Sequence, residues 1–72
     1  MYELSAAVGG KVVSVEVIEG QTVAELDDIV ALDSARGPVL LATQVPGVVR
    51  ELYVERNTVI EAGALIALID ES

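Results

Sequence analysis

GKVVSVEV (residues 10–17) and GVVRELYV (residues 47–54) are one pattern written twice in a chain of 72 residues. Both satisfy G-x-V-x-x-V/L-x-V, through Gly10, Val12, Val15 and Val17 and then Gly47, Val49, Leu52 and Val54, 37 positions further on. Downstream, DDIVALD (27–33) is echoed by GALIALID (63–70). A repeat this short is a β unit that cannot bury its apolar face alone, so the two copies must close on each other. Val15 and Val17 alternate as in a half-buried strand, whereas Val12 stands three residues before Val15. The second copy breaks parity at the same place, between Val49 and Leu52. One irregularity in both halves predicts a bulge or sharp bend in each strand, the device that a small closed or flattened barrel needs.

Working outward, strands are expected near 2–6, 11–18, 29–33, 38–43, 48–54 and 65–70, with short extended pieces near 22–24 and 58–60. AELDDIVAL (24–32) also reads as a helical turn leading onward, but Ile29-Val30 and their counterpart Leu65-Ile66 favour strand. Gly9-Gly10 and Pro46-Gly47 punctuate the approach to the repeat strands. Gly20 aligns with Asn57, the two residue types that best tolerate positive φ, so both copies should need that conformation there. The alignment then drops one residue, setting Ile29 against Leu65, or, with the gap placed earlier, Val23 against Val59.

The composition agrees with a chain held by packing alone. There is no Cys and no His, which excludes disulfides, thiolate or imidazole metal sites and Cys/His catalysis. Apolar residues make up 53% of the chain but only Tyr2 and Tyr53 are aromatic, so the core falls to Val, Ile, Leu and Ala. A net charge of −8, with Lys11, Arg36, Arg50 and Arg56 as the only basic residues, argues against binding nucleic acid through phosphates. Such a charge ordinarily serves solubility; its functional alternative is electrostatic docking onto a basic partner surface. No apolar run has the length of a membrane span, and MYELSAAVGG lacks the basic and apolar regions of a signal peptide, so a soluble cytoplasmic protein is the expectation.

Between the halves lies SARGP (34–38), a hairpin-turn signature with Gly and Pro side by side. Arg36 is expected at or beside the tip of this exposed hairpin, where a charged residue also serves simply to keep the turn wet.

On these residues the chain resembles the biotinyl/lipoyl carrier domain family over nearly its whole length. The matching pieces are VEV (15–17), EGQTV (19–23), IVALD (29–33), SARGP (34–38) and PGVVRELYV (46–54). Biotinyl domains show E-A-M-K-M, and lipoyl domains E-T-D-K-A, followed some ten residues on by a Gly-x-Val strand; the spacing from Leu32 to Gly47 fits both. The resemblance implies an all-β fold: a flattened β-barrel, or barrel-sandwich hybrid, of two small antiparallel sheets with pseudo-twofold symmetry. It implies a single domain over 1–72, with half-repeats at 10–33 and 47–70 joined by the hairpin. Carried over residue by residue, the family's Glu is Asp33, its Ala or Thr is Ser34, and its Met or Asp is Ala35. The attachment lysine falls on Arg36 and the next Met or Ala on Gly37.

That substitution is chemically decisive for the family's function. A biotin or lipoate amide forms when a neutral amine attacks an acyl-adenylate, and a guanidinium stays protonated in proteins. Arg36 is therefore expected to remain unmodified, so the chain as written holds no cofactor where the family holds biotin or lipoate. Lys11, the sole lysine, is expected on a strand rather than at the tip. The implied role is a non-catalytic docking or structural subunit with carboxylase-type or dehydrogenase-type partners, the biotin side being preferred. Alternatives are a lipoyl relative from a 2-oxo acid dehydrogenase-type complex and an adaptor like that of membrane-fusion proteins, for whose helical hairpin SARGP is too short. An enzyme is not expected: carboxylates are the only candidate groups, and the adjacent Asp27-Asp28, with Glu19 and Glu25 flanking the same turn, lack the oxygen-ligand series of a cation loop.

Overall fold

The computed structural model describes residues 1–71. Eight strands follow in order: β1 (Tyr2–Ser5), β2 (Gly10–Val15), β3 (Thr22–Val23), β4 (Asp28–Ser34), β5 (Gly37–Ala42), β6 (Gly47–Leu52), β7 (Val59–Ile60) and β8 (Leu65–Glu71). They form two four-stranded antiparallel sheets, in the orders β1-β8-β6-β3 and β5-β4-β2-β7. The all-β flattened barrel-sandwich that the resemblance implies is what the chain adopts, in a body of 34 × 18 × 17 Å. The sheets stay two separate hydrogen-bonded layers. No helix of the described residues is long and apolar enough to cross a membrane.

The repeat explains the layering. Moving 37 residues along the chain exchanges β1 with β5, β2 with β6, β3 with β7 and β4 with β8, so each sheet maps onto the other strand for strand. Both expected bulges are present. Register slips between Val12 and Ser14 on β2, leaving Val13 as the extra residue, and between Val49 and Glu51 on β6, leaving Arg50. Each bulge adds twist, which lets a short strand wrap across a core this narrow.

Two expectations need correction. Strands β2 and β6 end at Val15 and Leu52 rather than at 18 and 54. After one more rung (Glu16 N–H to Ile29 O, and Tyr53 N–H to Ile66 O, 2.8 and 2.9 Å) the chain turns away, and Val17 and Val54 tuck into the core. The one-residue gap in the alignment is also absent. Ile29 and Ile66 are both fully buried, and Val23 is matched by buried Ile60, while Val59 is 75% exposed. A constant spacing of 37 therefore carries through the core, pairing Leu4 with Leu41, Val12 with Val49 and Leu32 with Ile69.

The gap was suggested by turns whose residues differ although their backbones agree. Leu26 (φ 70) and Gly63 (φ 89) occupy equivalent left-handed positions, as do Gly20 (φ 90) and Asn57 (φ 74). The hydrogen bonds match as well: Leu26 N–H reaches Thr43 O and Gly63 N–H reaches Ala6 O, both at 2.7 Å. Leu26 has no steric licence for that conformation, and its side chain is 68% exposed, so little packing is returned for the strain. Leu26→Gly is expected to stabilise the chain by about 1 kcal/mol and raise the melting temperature by about 4–8 °C. A scan showing an unchanged or lower melting temperature would contradict this.

Candidate functional site

The β4–β5 hairpin is closed by a two-residue loop, Ala35-Arg36, between Ser34 and Gly37, which face each other in register. Its geometry comes from the residues that flank the tip. The Ser34 hydroxyl donates to Gly37 O at 2.8 Å and accepts Arg36 N–H at 3.2 Å, tying both ends of the turn. Gly37 has φ +108, and neither loop residue has positive φ, so the glycine alone absorbs the left-handed step. Pro38 follows on β5, an outer strand of its sheet, where a missing N–H is tolerated.

Arg36 thus stands at the tip, exposed, as the sequence indicated. Among the described residues no carboxylate forms an ion pair with it. The salt bridge of the described chain is Arg50 with Asp70, at 2.6 Å. Both of its side chains are about half exposed, so it contributes at most about 1 kcal/mol. Lys11 lies on β2, exposed and in register with Asp33 and Val59, and so beside the base of the hairpin rather than at its tip.

The donor set at the tip does not fit biotin or lipoate. Attachment needs an amine that can shed its proton, and the tip offers a guanidinium between Ala35 and Gly37. What the arrangement does offer is a solvated cation on a tight, hydrogen-bonded turn.

Two of the four candidate carboxylates are spent separately on backbone groups. Asp27 accepts Ala24 N–H at 2.8 Å, and Glu19 accepts Leu52 N–H at 3.0 Å from across the molecule. Among the described residues no three acidic side chains converge as metal ligands do.

Two features escaped the sequence reading. Tyr53 O–H donates to Glu51, and this hydrogen bond, with desolvation and the charges of Glu51, Glu19 and Glu3, pushes the phenol above its ordinary value. A groove of about 660 Å³ also opens beside β2, between Val13, Val15 and Ile18 on one side and Val54, Glu55 and Arg56 on the other. The signal available was the difference between the copies, since Val13 and Arg56 stand where the other copy has Arg50 and Glu19.

No family model matches the sequence, and no curated relative matches it. Solved structures do. The urea carboxylase of Kluyveromyces lactis matches 96% of this chain with a TM-score of 0.89 at 19% identity. A single-chain, multi-domain long-chain acyl-CoA carboxylase matches 99% with a TM-score of 0.91 at 21% identity. This chain spans only 6% and 7% of their lengths. At such identities the likeness is one of architecture: the chain has the fold of one small part of each of these carboxylases.

Proposed function

We propose that this chain is a carrier-type module of biotinyl lineage that bears no prosthetic group and acts by docking on a carboxylase-type partner. The observation that carries the reading is the guanidinium of Arg36 at the hairpin tip, where the resemblance sets the acceptor amine. The full-length fold match to parts of two carboxylases supports the lineage and the class of partner. The role is binding, because the tip has no group able to hold a biotinyl or lipoyl arm. The two-residue loop speaks against the membrane-fusion adaptor, which needs room for a helical insertion.

Intact mass after co-expression with a biotin ligase and with a lipoate ligase tests this directly. The expected result is the unmodified mass in both cases. An added biotinyl or lipoyl mass, mapped by peptide digestion to Lys11 or elsewhere, would refute the unmodified state. Labelling of Arg36→Lys by one ligase alone would name the lineage.

A further inference from the structure

The internal repeat supplies a control for every surface position, because equivalent residues sit on equivalent backbone. At the end of β6, Tyr53, the counterpart of Glu16, donates its N–H to Ile66 O, so strand alternation turns the N–H of Leu52 the other way. There Glu19 caps it, its carboxylate accepting at 3.0 Å. At the end of β2 the same alternation holds, since Glu16 N–H donates to Ile29 O. The N–H of Val15 is therefore turned away from β4. Strand β7 pairs only with Gly10 and Lys11 and does not reach it.

The residue equivalent to Glu19 is Arg56, which has donors only. No side chain among the described residues caps Val15, and its N–H faces the groove described above. The groove wall has changed in step. Val13, 42% exposed, replaces Arg50, and Ser14, whose hydroxyl is held by Glu16 at 2.5 Å, replaces Glu51. Arg56 is exposed and forms no ion pair among the described residues. One strand end is thus closed by a carboxylate contributed by the other copy. The other strand end presents an apolar wall, a bare N–H and a cation at the same place.

We infer that this groove is a docking site for an acidic residue of a partner protein. Its carboxylate takes the position on Val15 N–H that Glu19 takes on Leu52 N–H, and pairs with Arg56. An apolar neighbour of that residue rests against Val13, Ile18 and Val54. Charge complementarity selects the occupant: the local cation and donor call for an anion although the chain as a whole carries −8. Charge-assisted bonds to a backbone N–H and a guanidinium are the strong members of their class. Glu55 also lines the groove and discourages a doubly charged ligand. The inference stands on the copy difference and does not require the hairpin reading.

The test is a titration of the isotopically labelled chain, followed by its amide resonances, with the blocked tripeptide acetyl-Ile-Glu-Gly-amide, which copies residues 18–20. Signals of Val13, Val15 and Arg56 are expected to move. The glutamine analogue is expected to bind about tenfold more weakly, the loss of one charge-assisted contact. Arg56→Glu, on an exposed turn, restores the internal cap: Val15 N–H shifts without peptide and the response to peptide is lost. Arg56→Ala, which adds no cap, is expected to leave the spectrum otherwise intact and to weaken the peptide. Equal binding of the glutamine analogue, shifts confined to the β1-β8-β6-β3 face, or equal binding of acetate alone would overturn the proposal. So would movement of the same amides on raising protein concentration without peptide, which would assign the groove to a second copy of this chain.

Discussion

Gly47→Ala is expected to cost this protein a large share of its stability. Gly47 lies on β6 between β8 and β3, in register with Glu71 and with Val23, and is buried. A Cβ there would run into the carbonyl of Asp70 and lie 3.1 Å from Glu71 Cα. These are backbone atoms of a paired strand, so no side chain can swing aside to relieve the clash. Gly10 is the equivalent residue, and its Cβ would stand 2.7 Å from Asp33 O. Overpacking of this kind costs about 3 kcal/mol or more when backbone must move, against a total of roughly 4–11 kcal/mol for a chain of this length. Thermal unfolding followed by circular dichroism should show Gly47→Ala melting at least about 12 °C lower, or unfolded at the outset. Gly10→Ala should be destabilised in the same direction by less, because its contact is looser. A Gly47→Ala protein melting within a few degrees of the parent would mean that β6 and β8 separate more easily than their register implies.

The second large effect belongs to Ile29 and Ile66. Both are fully buried, and both are the extra residue where register slips, between Asp28 and Val30 on β4 and opposite the Leu4/Ser5 slip on β1. Each reaches the centre of the sandwich from an equivalent position in its own sheet. Truncating a buried Ile to Ala removes its transfer free energy and leaves a cavity, together about 2–5 kcal/mol. Because the two sites are equivalent by the repeat, Ile29→Ala and Ile66→Ala should fall within about 1 kcal/mol of each other. Chemical denaturation measures both. A large cost at one and a negligible cost at the other would show that one half of the sandwich is loosely packed despite its burial.

Much of the architecture was legible because its signals are local. The alternation of Val15 and Val17, broken at Val12, announced a bulge, and the same break before Leu52 announced its twin. Ser34 to Pro38 carry turn chemistry within five residues, so the hairpin and Arg36 at its tip could be placed without knowing what packs beneath them. The second-half alignment failed for the complementary reason. Leu26 and Gly63 make one turn with dissimilar residues, and a left-handed φ on a leucine leaves no trace in composition.

The sequence by itself determined that the chain is two copies of a bulged β unit, that a tight hairpin joins them, and that a guanidinium stands at its tip. Periodicity and turn residues are written into neighbouring positions, and they survive without any partner strand. Only the tertiary structure decided that Ile66, and not Leu65, matches Ile29, that Gly47 must be bare because Asp70 lies against it, and that Val15 N–H opens on a groove where Arg56 stands in place of a capping carboxylate. Each of those depends on which residues of one sheet meet the other across the core, and that is fixed by the closing of the two halves together.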